Sequence, residues 1–200
     1  MSDKKALVIV AHPDDETIWM GGIILKNKDW NWTIVSLCRA NDPDRAPKFR
    51  KVCEYYGAIP IIADLDDEKL EPLPISYIIQ VIENNIPFRN FNYIFTHGEN
   101  GEYGHIRHKE IHKAVDIMVK TGKLLCDELH FFSYKLSDKS TPGIPDLKLP
   151  VPKKSDVIIE LNEELYKDKL NIIKNMYGFQ TNSFEALSCY SKESFSRLFL

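Results

Sequence analysis

The chain has 200 residues, 44% of them hydrophobic and 28% charged, the composition of a globular protein long enough to bury a sizeable core in one domain. Its net charge of −3 gives no electrostatic ground for a nucleic-acid or anionic-membrane partner, and no apolar run approaches the ~20 residues of a membrane span. The polar start Met1-Ser2-Asp3-Lys4-Lys5 precedes an apolar segment too short for a signal peptide, and Cys38, Cys53, Cys126 and Cys189 are scattered without a CxxC pair, so the expectation is a cytoplasmic chain with reduced thiols.

The apolar run Ala6-Leu7-Val8-Ile9-Val10 reads as a buried strand ended by Pro13, and helical residues resume from Glu16 to Leu25. Between them lies Ala11-His12-Pro13-Asp14-Asp15-Glu16, at the carboxyl end of a strand, where open α/β sheets bind ligands. Two readings fit these residues. One is a divalent-metal site, because imidazole and carboxylate are accepted zinc ligands and a spare carboxylate can serve as general base. The other is a solvated turn whose carboxylate caps the next helix.

Trp32 to Cys38 reads as a second strand running into the polar loop Arg39 to Arg45. Phe49, Val52, Cys53 and Tyr56 then recur at helical spacing, with Gly57 as the closing residue. Ile59 to Ala63 is a third strand opening into the acidic Asp64-Leu65-Asp66-Asp67-Glu68; a helix from Ile75 to Asn85 and a fourth strand, Tyr93 to Thr96, follow. That strand delivers a second polar cluster, His97 to His108, with three glycines, and from His105 the pattern is helical, with Ile111, Val115, Met118 and Val119 as core stripe and His108 inside its arc. The alternation predicts a Rossmann-like, doubly wound, mostly parallel sheet flanked by helices in a single domain, with both polar clusters at one sheet edge. Glu128 to Tyr134 reads as a fifth strand, the proline-rich Thr141 to Lys154 as an extended loop, and Asp156 to Leu161 as a last strand. Asn162 caps a final helix with Glu163 and Glu164 in its first turn and Tyr166, Leu170, Ile173 and Tyr177 on its buried face. The tail, Gly178 to Leu200, has no clear pattern and is assigned only as a candidate wall of the substrate pocket.

Taken together, the two clusters resemble the signature of the LmbE-like (PIG-L) family of metal-dependent N-acetylglucosamine deacetylases, an AHPDDE box after the first strand and a distant GHxxH box opening a helix. Here they read Ala11-His12-Pro13-Asp14-Asp15-Glu16 and Gly104-His105-Ile106-Arg107-His108. The resemblance implies His12, Asp15 and His108 as ligands of zinc, or of another divalent metal such as iron(II). It implies Asp14 as general base and His105 as the group that stabilises the oxyanion and assists the leaving amine; were Asp14 dispensable, Glu16 would be the next candidate base. It also implies substrate contacts from Arg45, which matches the family arginine opening this helix, and from Asp67, which matches the aspartate of the family's LPDGxL turn although the proline and glycine of that turn are missing here.

Many relatives have an aspartate where this chain has Arg107, a cation that lowers the neighbouring histidine's pKa unless Glu99, Glu102 or Glu110 compensates it. His97 and His112 read as structural, and His130 carries no signal. The expected function is removal of acetyl from an N-acetylated sugar or glycoconjugate, with homo-oligomerisation left open. The alternatives are a hydrolase of the same mechanism acting on another amide or ester and a non-catalytic ligand-binding module. A nucleotide-binding domain is disfavoured because the first strand-helix turn lacks GxGxxG.

Overall fold

The computed structural model describes residues 3–199. In chain order the elements are β1 (Lys5–Val10), α1 (Asp15–Lys26), β2 (Asn31–Cys38), α2 (Arg45–Tyr56), β3 (Ile59–Leu65), α3 (Ile75–Asn85), β4 (Tyr93–Thr96), the short turn α4 (Gly101–Gly104) and α5 (Ile106–Lys120). They continue with β5 (Glu128–Phe132), β6 (Tyr134–Thr141), β7 (Ile144–Pro152), β8 (Val157–Glu160), α6 (Glu163–Asn171) with a π-helical continuation to Met176, α7 (Phe184–Ser188) and β9 (Lys192–Phe199). Seven strands form one sheet in the order β3-β2-β1-β4-β5-β9-β8, parallel from β3 to β5, with β9 antiparallel to both its neighbours.

β1 lies inside the sheet, between β2 and β4, and is buried from Ala6 onward because both faces of the sheet are covered. Ala6, Val8 and Val10 join the core shared with Ile18 and Trp19 of α1, Phe49 and Val52 of α2, and Ile172 and Ile173 after α6. Leu7 and Ile9, pointing the other way, pack with Ile78 and Ile82 of α3 and Ile111 and Val115 of α5. The strand order reverses direction about β1 and β4, so the crevice beyond their carboxyl ends is the switch point at which such sheets bind ligands. Among the described residues, no helix is long and apolar enough to cross a membrane.

α3 and β4 lie where the residue pattern predicts them, and Gly57 closes α2 at φ 71°, a left-handed conformation that costs glycine little. Three expectations in the last third are corrected. Thr141 to Lys154 is no loop: most of it is β7, paired antiparallel with β6. The turn Thr141-Pro142-Gly143-Ile144 explains this, since proline followed by a positive-φ glycine (φ 82°) is the signature of a tight type II turn. In a two-stranded ribbon each strand is an edge, so prolines at non-bonded positions are tolerated. The fifth strand stops at Phe132, where Ser133 bonds sideways to Ser194 and Lys153 before β6 begins. The last strand is β9, which the tail inserts between β5 and β8.

A buried ion pair fixes that insertion. Lys169 and Glu193 are both fully buried, with Nζ 2.7 Å from Oε1, and Glu193 also accepts the backbone N–H groups of Gly22 (2.7 Å) and Ile23 (2.9 Å) in α1. Gly22 permits this approach, because a Cβ there would lie 2.9 Å from Glu193 Oε1 and 2.3 Å from Leu161 Cδ2. The tail is thereby tied to the helix that opens the polar cluster.

Candidate functional site

The chain leaves β1 through Ala11 and His12 and enters α1 at Asp15, and between them Asp14 has φ 117°, a costly conformation for a residue with a side chain. Its N–H donates to Glu16 Oε2 at 3.0 Å. The other oxygen of Glu16 receives the hydroxyls of Thr17 (2.6 Å) and, from the tail, Tyr177 (2.8 Å). Burial raises Glu16 to about 7, and both its oxygens are engaged. Glu16 is therefore built as a strut beneath Asp14. Burial, then the adjacent Asp15, raise Asp14 well above the usual carboxylate range, against the opposing charge of Arg45.

His12 Nδ1, Asp15 Oδ2 and His108 Nε2 form a nearly equilateral triangle, with separations of 3.2 Å (His12 to Asp15), 3.3 Å (His108 to His12) and 3.4 Å (His108 to Asp15). Three donors bound tetrahedrally at ~2.0–2.1 Å from one ion stand about 3.3 Å apart, so the triangle fits a zinc-sized cation. Two looser donor sets share the crevice, His12 with His105 and His108, and His12 with Cys38 and Asp67, each within 4.8 Å. A third, Asp15 with His97 and His108, is compromised because His97 Nε2 already accepts the Ala11 N–H at 2.9 Å.

Around the triangle the donors are oriented by other groups. Asp15 Oδ1 accepts from Trp19 Nε1 at 2.8 Å, and Asp15 Oδ2 also accepts the His12 N–H. Glu102, fully buried, has Oε2 2.6 Å from His108 Nδ1 and 2.8 Å from His97 Nδ1, while Oε1 accepts the Gly98 N–H. This is the carboxylate-histidine pairing that fixes the tautomer of metal ligands. Glu102 sits at φ 57°, a second strained residue backing the same site. Burial opposes charge on His108, but Asp15 and Glu102 outweigh it and lift the ring to about 10. Burial opposes ionisation of Glu102, yet the two histidines hold it down at about 2.

His105 lines the crevice, its Nδ1 buried without a hydrogen-bond partner. Burial, then the charges of His108 and His12, press it down to about 3. Asp67 and Asp15 oppose that shift without overcoming it. Arg107 plays no part in this: it is fully buried, turns away to the carbonyls of Asp66 and Glu71, and is neutralised by Glu110 at 2.6 Å. Of the three carboxylates considered from the sequence, Glu110 therefore answers Arg107 and Glu102 serves the histidines. His112 Nδ1 bonds the His97 carbonyl at 3.0 Å, outside the triangle.

Arg45 and Asp67 both line a cavity of about 220 Å³ that opens onto the triangle. Arg45 is committed to the Asp14 carboxylate, and its guanidinium lies 4.4 Å over the Phe179 ring. Asp67 Oδ1 is 3.1 Å from His12 Nε2, near enough to pair electrostatically but not aligned as a hydrogen bond, and Oδ2 accepts from Arg39 at 2.8 Å. The remaining wall includes Trp19, Arg39, Tyr103, Phe184 and Glu185, none singled out individually from the sequence. The last two come from the tail, which carries no motif; only its docking through β9 brings them here.

The model of the PIG-L family, described as GlcNAc-PI de-N-acetylase, matches residues 7–119, more than half of the chain and both boxes of the site. Uncharacterized protein L374 of Acanthamoeba polyphaga mimivirus is 25% identical over 128 residues, covering 54% of this chain and 55% of the relative, so the chain spans about half the length of the curated relative it matches. Among solved structures, N,N′-diacetylchitobiose deacetylase from Pyrococcus horikoshii aligns with TM-score 0.68 at 15% identity, over 98% of this chain and 84% of that one. GalB, the 4-carboxy-2-hydroxymuconate hydratase from Pseudomonas putida KT2440, aligns with TM-score 0.59 at 14% identity, over 92% and 83%. At such identities these two establish a shared fold only. The matched segment, holding both boxes and the strands that bring them together, places this chain in the PIG-L family.

Proposed function

We propose that the protein is a metal-dependent deacetylase that removes the acetyl group from an N-acetylglucosamine-like sugar or conjugate. The observation that carries this reading is the His12–Asp15–His108 triangle, sized for one divalent ion, with Asp14 and His105 on the wall of the same cavity. The family description and the chitobiose deacetylase neighbour support the same chemistry. A zinc-like ion held there supplies Lewis acidity and an acidified water.

The protein's own groups do the rest. Asp14, raised by its burial, takes the proton of the attacking water as the oxygen bonds to the acetyl carbon. His105 faces the oxygen on which the carbonyl electron pair collects. When the C–N bond breaks, acetate leaves and the proton held by Asp14 passes to the sugar amine. Glu16 and Arg45 hold Asp14 from its backbone and its carboxylate, so the base is oriented before substrate arrives.

The test is acetate release from a panel of N-acetylated sugars, with and without chelator. Asp14→Asn keeps bound metal and loses turnover by ~10²–10⁴-fold. Hydration of an unsaturated acid without any acetate release, or activity indifferent to chelator, would overturn the proposal.

A further inference from the structure

Residues 66–74, between β3 and α3, form neither helix nor strand, and the run Asp66-Asp67-Glu68-Lys69-Leu70-Glu71 contains neither proline nor glycine. Leu70 nevertheless sits at φ 53°, so the turn is imposed from outside and not by its own residues. The source is the start of α5. Arg107 donates from Nε to the Asp66 carbonyl at 2.5 Å and from Nη2 to the Glu71 carbonyl at 2.8 Å. Its Nη1 meets Glu110 Oε2 at 2.6 Å, and the other oxygen of Glu110 accepts the Leu73 N–H at 2.8 Å. Two side chains of one helix thus grip the loop at residues 66, 71 and 73. Arg107 is fully buried, and a buried ion pair adds little stability over apolar side chains of similar size. What such a pair can do, and an apolar one cannot, is hold backbone carbonyls and N–H groups in place.

Asp67 lies between the gripped residues. Its Oδ1 stands 3.1 Å from His12 Nε2, the ring nitrogen opposite the Nδ1 that faces the triangle, and its Oδ2 is fixed by Arg39 at 2.8 Å. A carboxylate there keeps the proton on Nε2 and the lone pair of Nδ1 toward the triangle, as Glu102 does for His108 through the opposite nitrogen. Resting on the metal-dependent reading above, we propose that Arg107 and Glu110 are positioning residues that clamp the loop after β3, so that Asp67 orients the ligand His12. Asp67 thereby takes a supporting role at the metal centre in place of the substrate contact that the resemblance implies.

The experiment measures the zinc affinity of the full chain by competition with a chromophoric chelator, together with tryptic cleavage after Lys69, an exposed residue of the loop. Asp67→Ala is expected to lower the affinity by ~10–100-fold. Arg107→Met/Glu110→Met removes both charges at once, leaves no stranded ion and is expected to melt near the wild type. Cleavage after Lys69 nevertheless accelerates, and zinc affinity falls by ~10-fold or more. In the Asp67→Ala background the same two substitutions lower the affinity no further, because the orienting carboxylate is already gone. Arg107→Lys keeps a charge beside Glu110 but cannot span both carbonyls; it moves both readouts the same way by less, and it serves if the double variant does not fold. Unchanged affinity in the clamp variants, losses that add to that of Asp67→Ala, or an Asp67→Ala that binds zinc normally and changes only KM would each overturn the proposal and leave the metal centre standing. A wild type that binds no zinc would overturn both.

Discussion

Glu102 is the side chain on which the proposed metal site most depends without being one of its ligands. Its carboxylate receives three donors, His108 Nδ1 at 2.6 Å, His97 Nδ1 at 2.8 Å and the Gly98 N–H at 2.7 Å. In Glu102→Gln the shape survives, but one oxygen becomes an NH₂ group. Placed toward the histidines, that group confronts two N–H donors; placed toward Gly98, it confronts a third. In either orientation a buried donor is left unpaired, which costs ~1–3 kcal/mol. Part of this cost falls on the tautomer of His108, because the carboxylate is what keeps a proton on Nδ1 and the lone pair of Nε2 directed at the triangle. Zinc affinity, measured by competition with a chromophoric chelator, is expected to fall by ~10–100-fold, about 1.4–2.7 kcal/mol. His108→Ala falls further, while His112→Ala, bonded only to the His97 carbonyl, stays near wild type. An unchanged affinity for Glu102→Gln, or equal losses for His108→Ala and His112→Ala, would refute the assignment of this helix face.

The buried Lys169–Glu193 pair predicts an asymmetric stability result. Lys169→Met strands a buried carboxylate and costs ~3–5 kcal/mol, a melting temperature lower by ~6–20 °C, whereas adding Glu193→Gln restores part of the loss, because it removes the stranded charge although its NH₂ then confronts the N–H of Gly22 or Ile23; equal melting of single and double variants would contradict this. Tyr177→Phe removes one hydroxyl from Glu16 and, through it, loosens the Asp14 peptide. We expect kcat to fall by ~5- to 10-fold with KM and metal content unchanged, consistent with the loss of one hydrogen bond of ~1 kcal/mol; a change confined to KM would assign Tyr177 to the pocket wall instead.

What the amino-acid order determined by itself was the local and periodic part of this protein. The run Ala6–Val10 reads as a strand buried on both faces, and the stripe Ile111, Val115, Met118 and Val119 as one helix face, because each depends on neighbours a few positions away. The two boxes were legible for the same reason, as was their arrival at one sheet edge once parallel strands were inferred. The tertiary structure alone decided which carboxylate serves which partner: Glu99, Glu102 and Glu110 look equivalent in the sequence, yet a positive φ at residue 102 turns Glu102 under the histidines while Glu110 meets Arg107. It alone decided the tail, whose strand has no alternation to announce it because Glu193 is buried against α1 rather than facing solvent. Long-range pairing brings Tyr177, Phe179 and Phe184 to the site, and such contacts are set by how whole layers pack, not by any short stretch of chain.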